Sequence, residues 1–236
     1  MRKMVVALAF VVSVVSALPV LPRAEAASCG SRDSYHIGKD HNVSNIGSMG
    51  KITYKEPTLC GAVHSDSSVW VMSSGGDNYI QAGYGKDSDD AHAFMFTEWS
   101  ASTGIYFVAK VDYTQYPGSA NYYKVGLDTT SNIWYMAWSS DGSIWTNYDS
   151  VQDSSLFEGT VPAWTKYHGE IKDSGDAIPG SSASPVVFSN LQYKTTAGAW
   201  TTESSLNPIT HPSIAGHAKL TDVSATSFKL YDTYNP

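Results

Sequence analysis

Polar and aromatic side chains share one face in each of three short runs of the sequence. The residues that share one face of each run are Lys166, His168 and Glu170; Tyr79, Gln81 and Gly83; and His92, Phe94, Phe96 and Glu98. Because side chains alternate across a β-strand, each set lines one side of a strand. The outer face of a sheet in a two-sheet sandwich can be polar. We expect a ligand to lie on such a face where it curves into a groove.

Other catalytic and metal-binding patterns do not occur in the sequence. It contains neither the Gly-x-Ser-x-Gly elbow of a serine nucleophile nor a His-Glu-x-x-His zinc motif. We interpret the scattered histidines as surface or capping residues: His36, His41, His64, His92, His168, His211 and His217. The acidic stretch 87–90 lacks the ligand set of an EF-hand loop and is typical of a solvated turn. We therefore expect no metal and no cofactor.

The elements that position these residues are short β-like runs separated by turn clusters. The predicted strands are 68–72, 78–84, 92–99, 105–113, 122–127, 133–138, 144–148, 165–171, 186–193, 198–202 and 227–231. Ser140-Asp141-Gly142 between two of them predicts a hairpin. No stretch has sustained helical periodicity, and no repeat of fixed period appears. The pattern predicts an all-β sandwich or jelly roll.

The N-terminal residues predict export. A basic start at Met1-Arg2-Lys3 is followed by an apolar run and then by Ala24-Glu25-Ala26, the order typical of a cleaved signal peptide. The alternative is a membrane anchor, which the early prolines and the cleavage-like triplet disfavour. We expect a signal peptide at 1–26, a loop-rich N-terminal arm at 27–66 and a β-sandwich domain at 67–236. Outside the cell, Cys29 and Cys60 would form one disulfide that pins the arm.

Composition and charge exclude some partners. Only 16% of the residues are charged, 12% are aromatic, and the net charge of −7 comes without a basic cluster. Binding to nucleic acid or to an anionic membrane surface is therefore not expected. We predict a secreted monomer that stays off the membrane once its signal peptide is removed. Its partner would be an extracellular polymer, either protein or glycan.

Several short motifs follow one another in a distinctive order: Trp70, Gly75-Gly76, Ile80-Gln81-Ala82-Gly83, Glu98-Trp99, Gly169-Glu170 and Val186-Val187-Phe188-Ser189-Asn190. In this order they resemble the glutamic peptidases of the eqolisin family, over about residues 68–193. The resemblance implies a concanavalin-like jelly roll of two sheets. The segments at Gly169–Ile171 and Gly175–Gly180 are also similar to a group of uncharacterised secreted bacterial proteins. That group supports export and fold but implies no activity.

The peptidase resemblance also implies roles for individual residues. Gln81 and Glu170 match the catalytic pair, and Trp70, Glu98 and Trp99 match residues that line the cleft. We add His168 to the substrate-binding residues because it shares the predicted face of Glu170. Glu170 would act as general base on a water molecule and then as general acid, while Gln81 would stabilise the oxyanion. This arrangement requires neighbouring strands with both side chains on one face.

Alternative interpretations of the same residues remain open. Gln81 and Glu170 could be two polar residues of a solvated sheet face. The aromatic residues could bind sugar rings, which would make the protein a non-enzymatic module for carbohydrate or cell-surface binding. A third alternative is a secreted structural protein. The first prediction is a secreted, acid-acting glutamic endopeptidase.

Overall fold

The computed structural model describes residues 32–59, 64–102, 106–111, 119–173, 176–210 and 217–234. They form an all-β sandwich of two antiparallel sheets with one short helix. The elements are β1 (Arg32–Asn42), β2 (Asn45–Thr53), β3 (His64–Met72), β4 (Tyr79–Asp87), β5 (Phe94–Ser100), β6 (Tyr106–Val111), β7 (Ala120–Asp128), β8 (Ile133–Ser139), β9 (Thr146–Gln152), α1 (Asp153–Leu156), β10 (Trp164–Asp173), β11 (Val186–Thr195), β12 (Trp200–Thr202), β13 (Asn207–Thr210), β14 (Ala218–Ser224) and β15 (Ser227–Asp232). The predicted sandwich is confirmed.

The strands divide between the sheets in a way that brings distant parts of the sequence together. Sheet A has the order β13-β1-β10-β3-β4-β5-β6. Sheet B has the order β14-β15-β11-β2-β7-β8-β9, and β12 pairs with β11 beside this path. The strands that carry the three polar runs, β4, β5 and β10, all belong to sheet A. They are held there by pairing between β10 and β3, β3 and β4, and β4 and β5.

The hydrophobic core fills the space between the two sheets. Sheet A contributes the inward faces of its central strands, such as Val69 and Ile80, and sheet B contributes residues such as Trp134, Phe188 and Phe228. All five of these side chains are fully buried. Burial of aromatic side chains on this scale supplies much of the driving force for folding. The alternation that buries Ile80 turns Gln81 to the opposite side of sheet A.

The segment 27–66 differs from the loop-rich arm that the sequence predicts. It contains β1, which lies between β10 and β13 in sheet A, and β2, which lies between β11 and β7 in sheet B. Both strands are integral to the sandwich because their alternate residues are buried between the sheets, for example Ile37 and Ile52. Their Gly, Ser, Asn and His content conceals this pattern, since these residues have low strand propensity.

Several predictions about the N-terminal part lie outside the described residues. These are the signal peptide at 1–26 and the disulfide between Cys29 and Cys60, and both stay predictions. The predicted hairpin at Ser140–Gly142 is confirmed, because β8 pairs with β9 and Gly142 adopts a φ of 81° in the turn between them. Among the described residues no helix has the length and apolar character needed to cross a membrane.

Candidate active site

The outward face of sheet A, which we call the open face, arranges polar side chains in cross-strand rows. The first row is Lys166, Trp70, Gln81 and Glu98; the second is Gly38, His168, Ser68, Gly83 and Phe96; the third is His36, Glu170, Asp66, Gly85 and Phe94. Residues in one row are register partners on neighbouring strands, so their Cβ atoms lie about 4.5–5.5 Å apart. The positions of the predicted site residues in these rows determine which of their side chains lie close enough to act together.

Gln81 is buried, with 1% of its surface exposed, and its amide is oriented by β3. The Oε1 atom accepts a hydrogen bond of 2.8 Å from the Ser68 hydroxyl. This contact depends on a close approach of the two strands, because a Cβ at Gly83 would lie 2.7 Å from Ser68 Cα. With Oε1 held by Ser68, the amide Nε2 points away from it and has no hydrogen-bond partner within the described part of the chain. Gln81 therefore presents an unused N–H donor.

Glu98 is the register partner of Gln81 on β5 and is also buried, with 5% exposed. The Tyr79 hydroxyl donates a hydrogen bond to its Oε1 atom. No residue of the described ranges bonds its other oxygen, Oε2. Glu98 thus has one anchored oxygen and one available oxygen, beside the free amide of Gln81. The sequence places Glu98 among the substrate-binding residues, and the structure brings it next to Gln81.

Trp70 forms a wall beside this pair. Its ring stacks on Tyr79 at a centroid distance of 5.0 Å and lies 4.4 Å from the ring of His168. The indole N–H donates to Ser68 Oγ over 2.5 Å, which locks the ring against β3. Trp70 therefore connects the first and second rows, and its predicted contact with substrate stays a prediction.

His168 lies deeper on the open face than its predicted substrate role implies. It is 1% exposed, and neither ring nitrogen has a hydrogen-bond partner in the part of the chain that is described. Burial, together with the nearby charges of His36 and Lys166, holds the pKa of His168 well below its usual value, so the ring is neutral. With Trp70, His36 and Lys166 it lines a pocket of about 470 Å³ that ends at β13. Burial also lowers the pKa of Lys166.

Glu170 is not beside Gln81. Strand β3 lies between β10 and β4, and Glu170 stands in the third row whereas Gln81 stands in the first. The neighbouring-strand geometry required of the predicted pair is therefore not present, although both side chains share the open face. The sequence pattern identifies faces correctly, but it contains no information on which strand inserts between two others.

The partners of Glu170 are charged groups. Lys172 contacts its Oε1 atom, and His36 Nδ1 lies 3.4 Å from its Oε2 atom. Burial raises the pKa of Glu170, but the charges of His36 and Lys172 outweigh burial and hold this pKa below its usual value. Glu170 is therefore an ionised carboxylate whose two oxygens are both engaged.

Asp66, the register partner of Glu170, differs in charge state. Burial raises the pKa of Asp66 to about 6, assisted by the negative charges of Glu170 and Glu98 and opposed by His64. His64 Nε2 lies 2.9 Å from Asp66 Oδ2, and its other ring nitrogen bonds Asp87 at 2.6 Å. Burial lowers the pKa of His64, but its bonds to the two aspartates prevail and raise that pKa to about 10. Two neighbouring carboxylates thus have pKa values displaced in opposite directions.

Ser68 links the two carboxylate-bearing ends of the open face. Its Oγ atom lies 3.1 Å from Asp66 Oδ1 as well as 2.8 Å from Gln81 Oε1. A hydroxyl has a single proton, so it donates to only one of these oxygens at a time. When Asp66 is protonated, it donates to Ser68, and Ser68 donates to Gln81. When Asp66 is ionised, its carboxylate competes with Gln81 Oε1 for the hydrogen bond that the Ser68 hydroxyl donates.

Trp99 lies away from the open face, contrary to its predicted contact with substrate. It follows Glu98 on β5, so its side chain points to the opposite side of sheet A, where it packs against the core. Sequence analysis also missed Asp66 and Ser68. The polar residues His64, Asp66 and Ser68 alternate along the chain before Trp70, and this alternation could have identified them. The predicted strand begins at residue 68 and therefore leaves out His64 and Asp66.

In the ranges that the structure describes, no three His, Cys, Asp or Glu side chains are placed so that they could hold a metal ion.

Comparison with solved structures gives strong matches to two peptidases. Scytalido-glutamic peptidase, in a crystal structure with a peptide-based transition state analog, superimposes with a TM-score of 0.61 at 11% identity, over 86% of this chain and 100% of that one. SCP-B, a member of the eqolisin family in complex with the tripeptide Ala-Ile-His, superimposes with a TM-score of 0.57 at 10% identity, over the same shares of 86% and 100%. The fold of this chain is that of the eqolisin peptidases.

Comparison of sequences adds no assignment. No protein-family model matches the chain, and no curated protein sequence matches it. At 10–11% identity the structural likeness establishes the fold, whereas any chemistry depends on the side chains of the open face.

Proposed function

We propose that this protein is a peptidase that hydrolyses peptide bonds with a water molecule activated by Glu98 and an oxyanion held by Gln81. One observation carries the proposal. The unused amide N–H of Gln81 and the available oxygen of Glu98 stand at register-partner positions on neighbouring strands. A carboxylate that can take a proton and an amide that can donate to a developing oxyanion are the two groups that water-mediated acyl transfer requires.

The hydrolytic step can be written with these groups alone. Glu98 accepts a proton from water as the water oxygen forms a bond to the scissile carbonyl carbon. The carbonyl oxygen becomes an oxyanion and accepts a hydrogen bond from Gln81 Nε2. The C–N bond then breaks, and Glu98 returns the proton to the leaving amine. The products are a carboxylic acid and an amine, and the enzyme is regenerated.

The proposal moves the base from Glu170, which the resemblance implies, to Glu98. Glu170 is separated from Gln81 by β3, and its oxygens are engaged by Lys172 and His36. A carboxylate that already has an ammonium and an imidazole beside it is a poor acceptor for a water proton, because protonation would weaken its attraction to both. Glu98 has only one oxygen engaged, by a neutral hydroxyl.

In this proposal Glu170 acts indirectly, through its effect on Asp66. Its negative charge acts with burial to raise the pKa of Asp66 to about 6. Protonated Asp66 donates to Ser68, and Ser68 then donates to Gln81 Oε1, so that Nε2 is directed at the oxyanion position. Glu170, Asp66 and Ser68 are therefore positioning residues, and they supply a reason for activity in acid.

The location of the enzyme belongs to the same proposal. Export through the segment 1–26 and a bond between Cys29 and Cys60 would deliver a disulfide-stabilised, monomeric enzyme to extracellular protein substrates. Trp70 and the neighbouring pocket of about 470 Å³ would accept substrate side chains.

Digestion of a peptide library from acid to neutral pH tests the proposal, with the wild type and Gln81→Ala compared by mass spectrometry of the products. Removal of an oxyanion donor is expected to lower kcat about 10²–10³-fold. Gln152→Ala is the matched control, because Gln152 is an exposed glutamine on β9 of the other sheet. Absence of cleavage by the wild type, or full activity in Gln81→Ala, would contradict the proposal.

A further inference from the structure

The outward face of sheet B has a pocket of its own, on the side of the molecule opposite the open face. It has a volume of about 270 Å³, and its lining includes Lys124, Asp128, Tyr135, Asn147, Lys194 and Trp200. Strands β7, β8, β9, β11 and β12 contribute these residues, so the pocket is built on paired strands rather than on a loop. Its size lies just below the usual range for ligand pockets and suits a single ring.

Two aromatic side chains form apolar walls of the pocket. The six-membered ring of Trp200 lies against β2 and β7 where these strands carry glycine, and a Cβ at Gly47 would lie 3.1 Å from its Cη2 atom. Tyr135, the register partner of Gly126, lines the same pocket as Trp200. Beyond the pocket the aromatic surface continues at Trp145. Apolar ring faces of this kind stack on the C–H faces of sugars.

Two ammonium groups converge on the same pocket. Lys194 Nζ donates to the carbonyl of Leu127 over 2.6 Å, and Lys124 Nζ lies 3.9 Å from the centroid of the Trp145 ring. Burial and the charge of Lys194 lower the pKa of Lys124 to about 8, which indicates that the two cations repel each other.

The pocket lining includes the carboxylate of Asp128, whose pKa is lowered first by hydrogen bonds from Thr130 and Ser131 and also by the charge of Lys194. Within the described part of the chain, no carboxylate forms an ion pair with Lys124 or Lys194. Asp128 lies at the rim, but its carboxylate accepts hydrogen bonds of 2.9 Å from Thr130 N–H and Ser131 O–H of its own turn. A bound anion would neutralise the repulsion between the lysines.

We propose that this pocket binds a sugar that carries a carboxylate. The ring would lie between Trp200 and Tyr135, the carboxylate would contact the ammonium groups of Lys124 and Lys194, and Asn147 would bond a hydroxyl. A glycan fits better than a phosphate polymer, because the rings of Trp200 and Tyr135 offer apolar faces on which a sugar can stack. This site requires no catalysis at Gln81 and Glu98 and would let the protein hold an acidic glycan while the open face stays free.

Titration calorimetry with a trimer of galacturonic acid tests the proposal. The fully methyl-esterified trimer is the matched probe, because it keeps the rings and removes the charge. We expect wild type to bind the acid trimer with a Kd below about 1 mM and the ester about tenfold more weakly. Lys124→Gln and Lys194→Gln should each weaken binding of the acid trimer about five- to tenfold and leave binding of the ester unchanged.

Further variants keep the test independent of folding and of peptidase activity. Lys51→Gln removes a lysine of the same sheet, outside the pocket, and should bind the acid trimer like wild type. Trp200→Phe should retain more affinity than Trp200→Ala, with thermal unfolding recorded for both. Equal binding of acid and ester, unchanged affinity in both lysine variants, or no binding to either trimer would overturn the proposal. Peptide hydrolysis should be unaltered in the lysine variants.

Discussion

The open face of sheet A has two ends that differ in how their polar groups are satisfied. At the Gln81–Glu98 end, an amide N–H and a carboxylate oxygen have no partner in the described chain, and the anchoring contacts come from the hydroxyls of Ser68 and Tyr79. At the Asp66–Glu170 end, the carboxylates are held by His64, His36 and Lys172. Both ends are buried.

The difference shows that burial of a carboxylate does not by itself indicate catalysis. A fully engaged buried carboxylate sets local charge and rigidity, whereas a partly engaged one can exchange a proton. The two ends are joined by Ser68, so in the proposed mechanism the protonation of Asp66 at one end affects the orientation of Gln81 at the other. In the proposed mechanism, stability and pH dependence arise from the Asp66–Glu170 end, and bond cleavage takes place at the Gln81–Glu98 end.

The largest expected effect on stability follows from neutralising Glu170. Glu170→Gln leaves Lys172 and His36 facing an uncharged amide, so the free energy of unfolding should fall by about 3 kcal/mol. Glu98→Gln keeps an oxygen that can accept from Tyr79 and should lose less than about 1.5 kcal/mol. Urea denaturation of both variants at neutral pH measures the difference. Equal losses of unfolding free energy in Glu170→Gln and Glu98→Gln would contradict the proposed difference between the two ends.

Removing the link between the ends should have an intermediate effect. Ser68→Ala deletes the hydroxyl that holds Gln81 Oε1, so kcat is expected to fall about tenfold while KM changes little. Ser67→Ala is the control, because Ser67 precedes it on β3 and its side chain points to the opposite side of sheet A. A similar kcat in the two variants would show that Ser68 does not orient Gln81. The pH profile of Ser68→Ala should also lose its dependence on Asp66.

The smallest expected effect is on the pH profile. Asp66 has a pKa of about 6, so activity should fall as the pH rises through that value and the Ser68 proton turns to Asp66. Asp66→Asn can donate to Ser68 at every pH, and its kcat/KM should not decline near pH 6. A decline at the same pH in wild type and variant would contradict this role.

The raised pKa of Asp66 also predicts that the free energy of unfolding depends on pH. The folded state binds the Asp66 proton more tightly than the unfolded chain, because its pKa is raised from 3.8 to about 6. The contribution of Asp66 to the free energy of unfolding is thus present in acid and is lost as the pH rises through about 6. Thermal unfolding of wild type and Asp66→Asn across this range measures the loss.

Much of the fold could be predicted from alternation and turn signals. The faces of β4, β5 and β10 follow from the period of two, and Gln81, Glu98, His168 and Glu170 do share the open face. Strands β1 and β2 were missed because side chains such as those of Gly38, Lys39 and Asp40 conceal their strand pattern.

The arrangement of the site could not be predicted in the same way. Strand order is set by packing between residues far apart in sequence, and β3 enters between β4 and β10. This insertion separates Gln81 from Glu170 and makes Glu98 the neighbour of Gln81. Alternation along β10 places Lys172 on the same face as Glu170, but the local sequence does not indicate the contact with His36, because His36 comes from a strand that the sequence does not predict.

The most direct test of the account is kcat/KM for peptide hydrolysis by Glu98→Gln and Glu170→Gln, measured side by side below pH 6 at a temperature where both are folded. We expect kcat/KM of Glu98→Gln to fall about 10³-fold or more, because the proton acceptor is gone. Glu170→Gln should stay within about tenfold of wild type, since it acts only through Asp66. A large loss in Glu170→Gln with near-normal activity in Glu98→Gln would contradict the central claim.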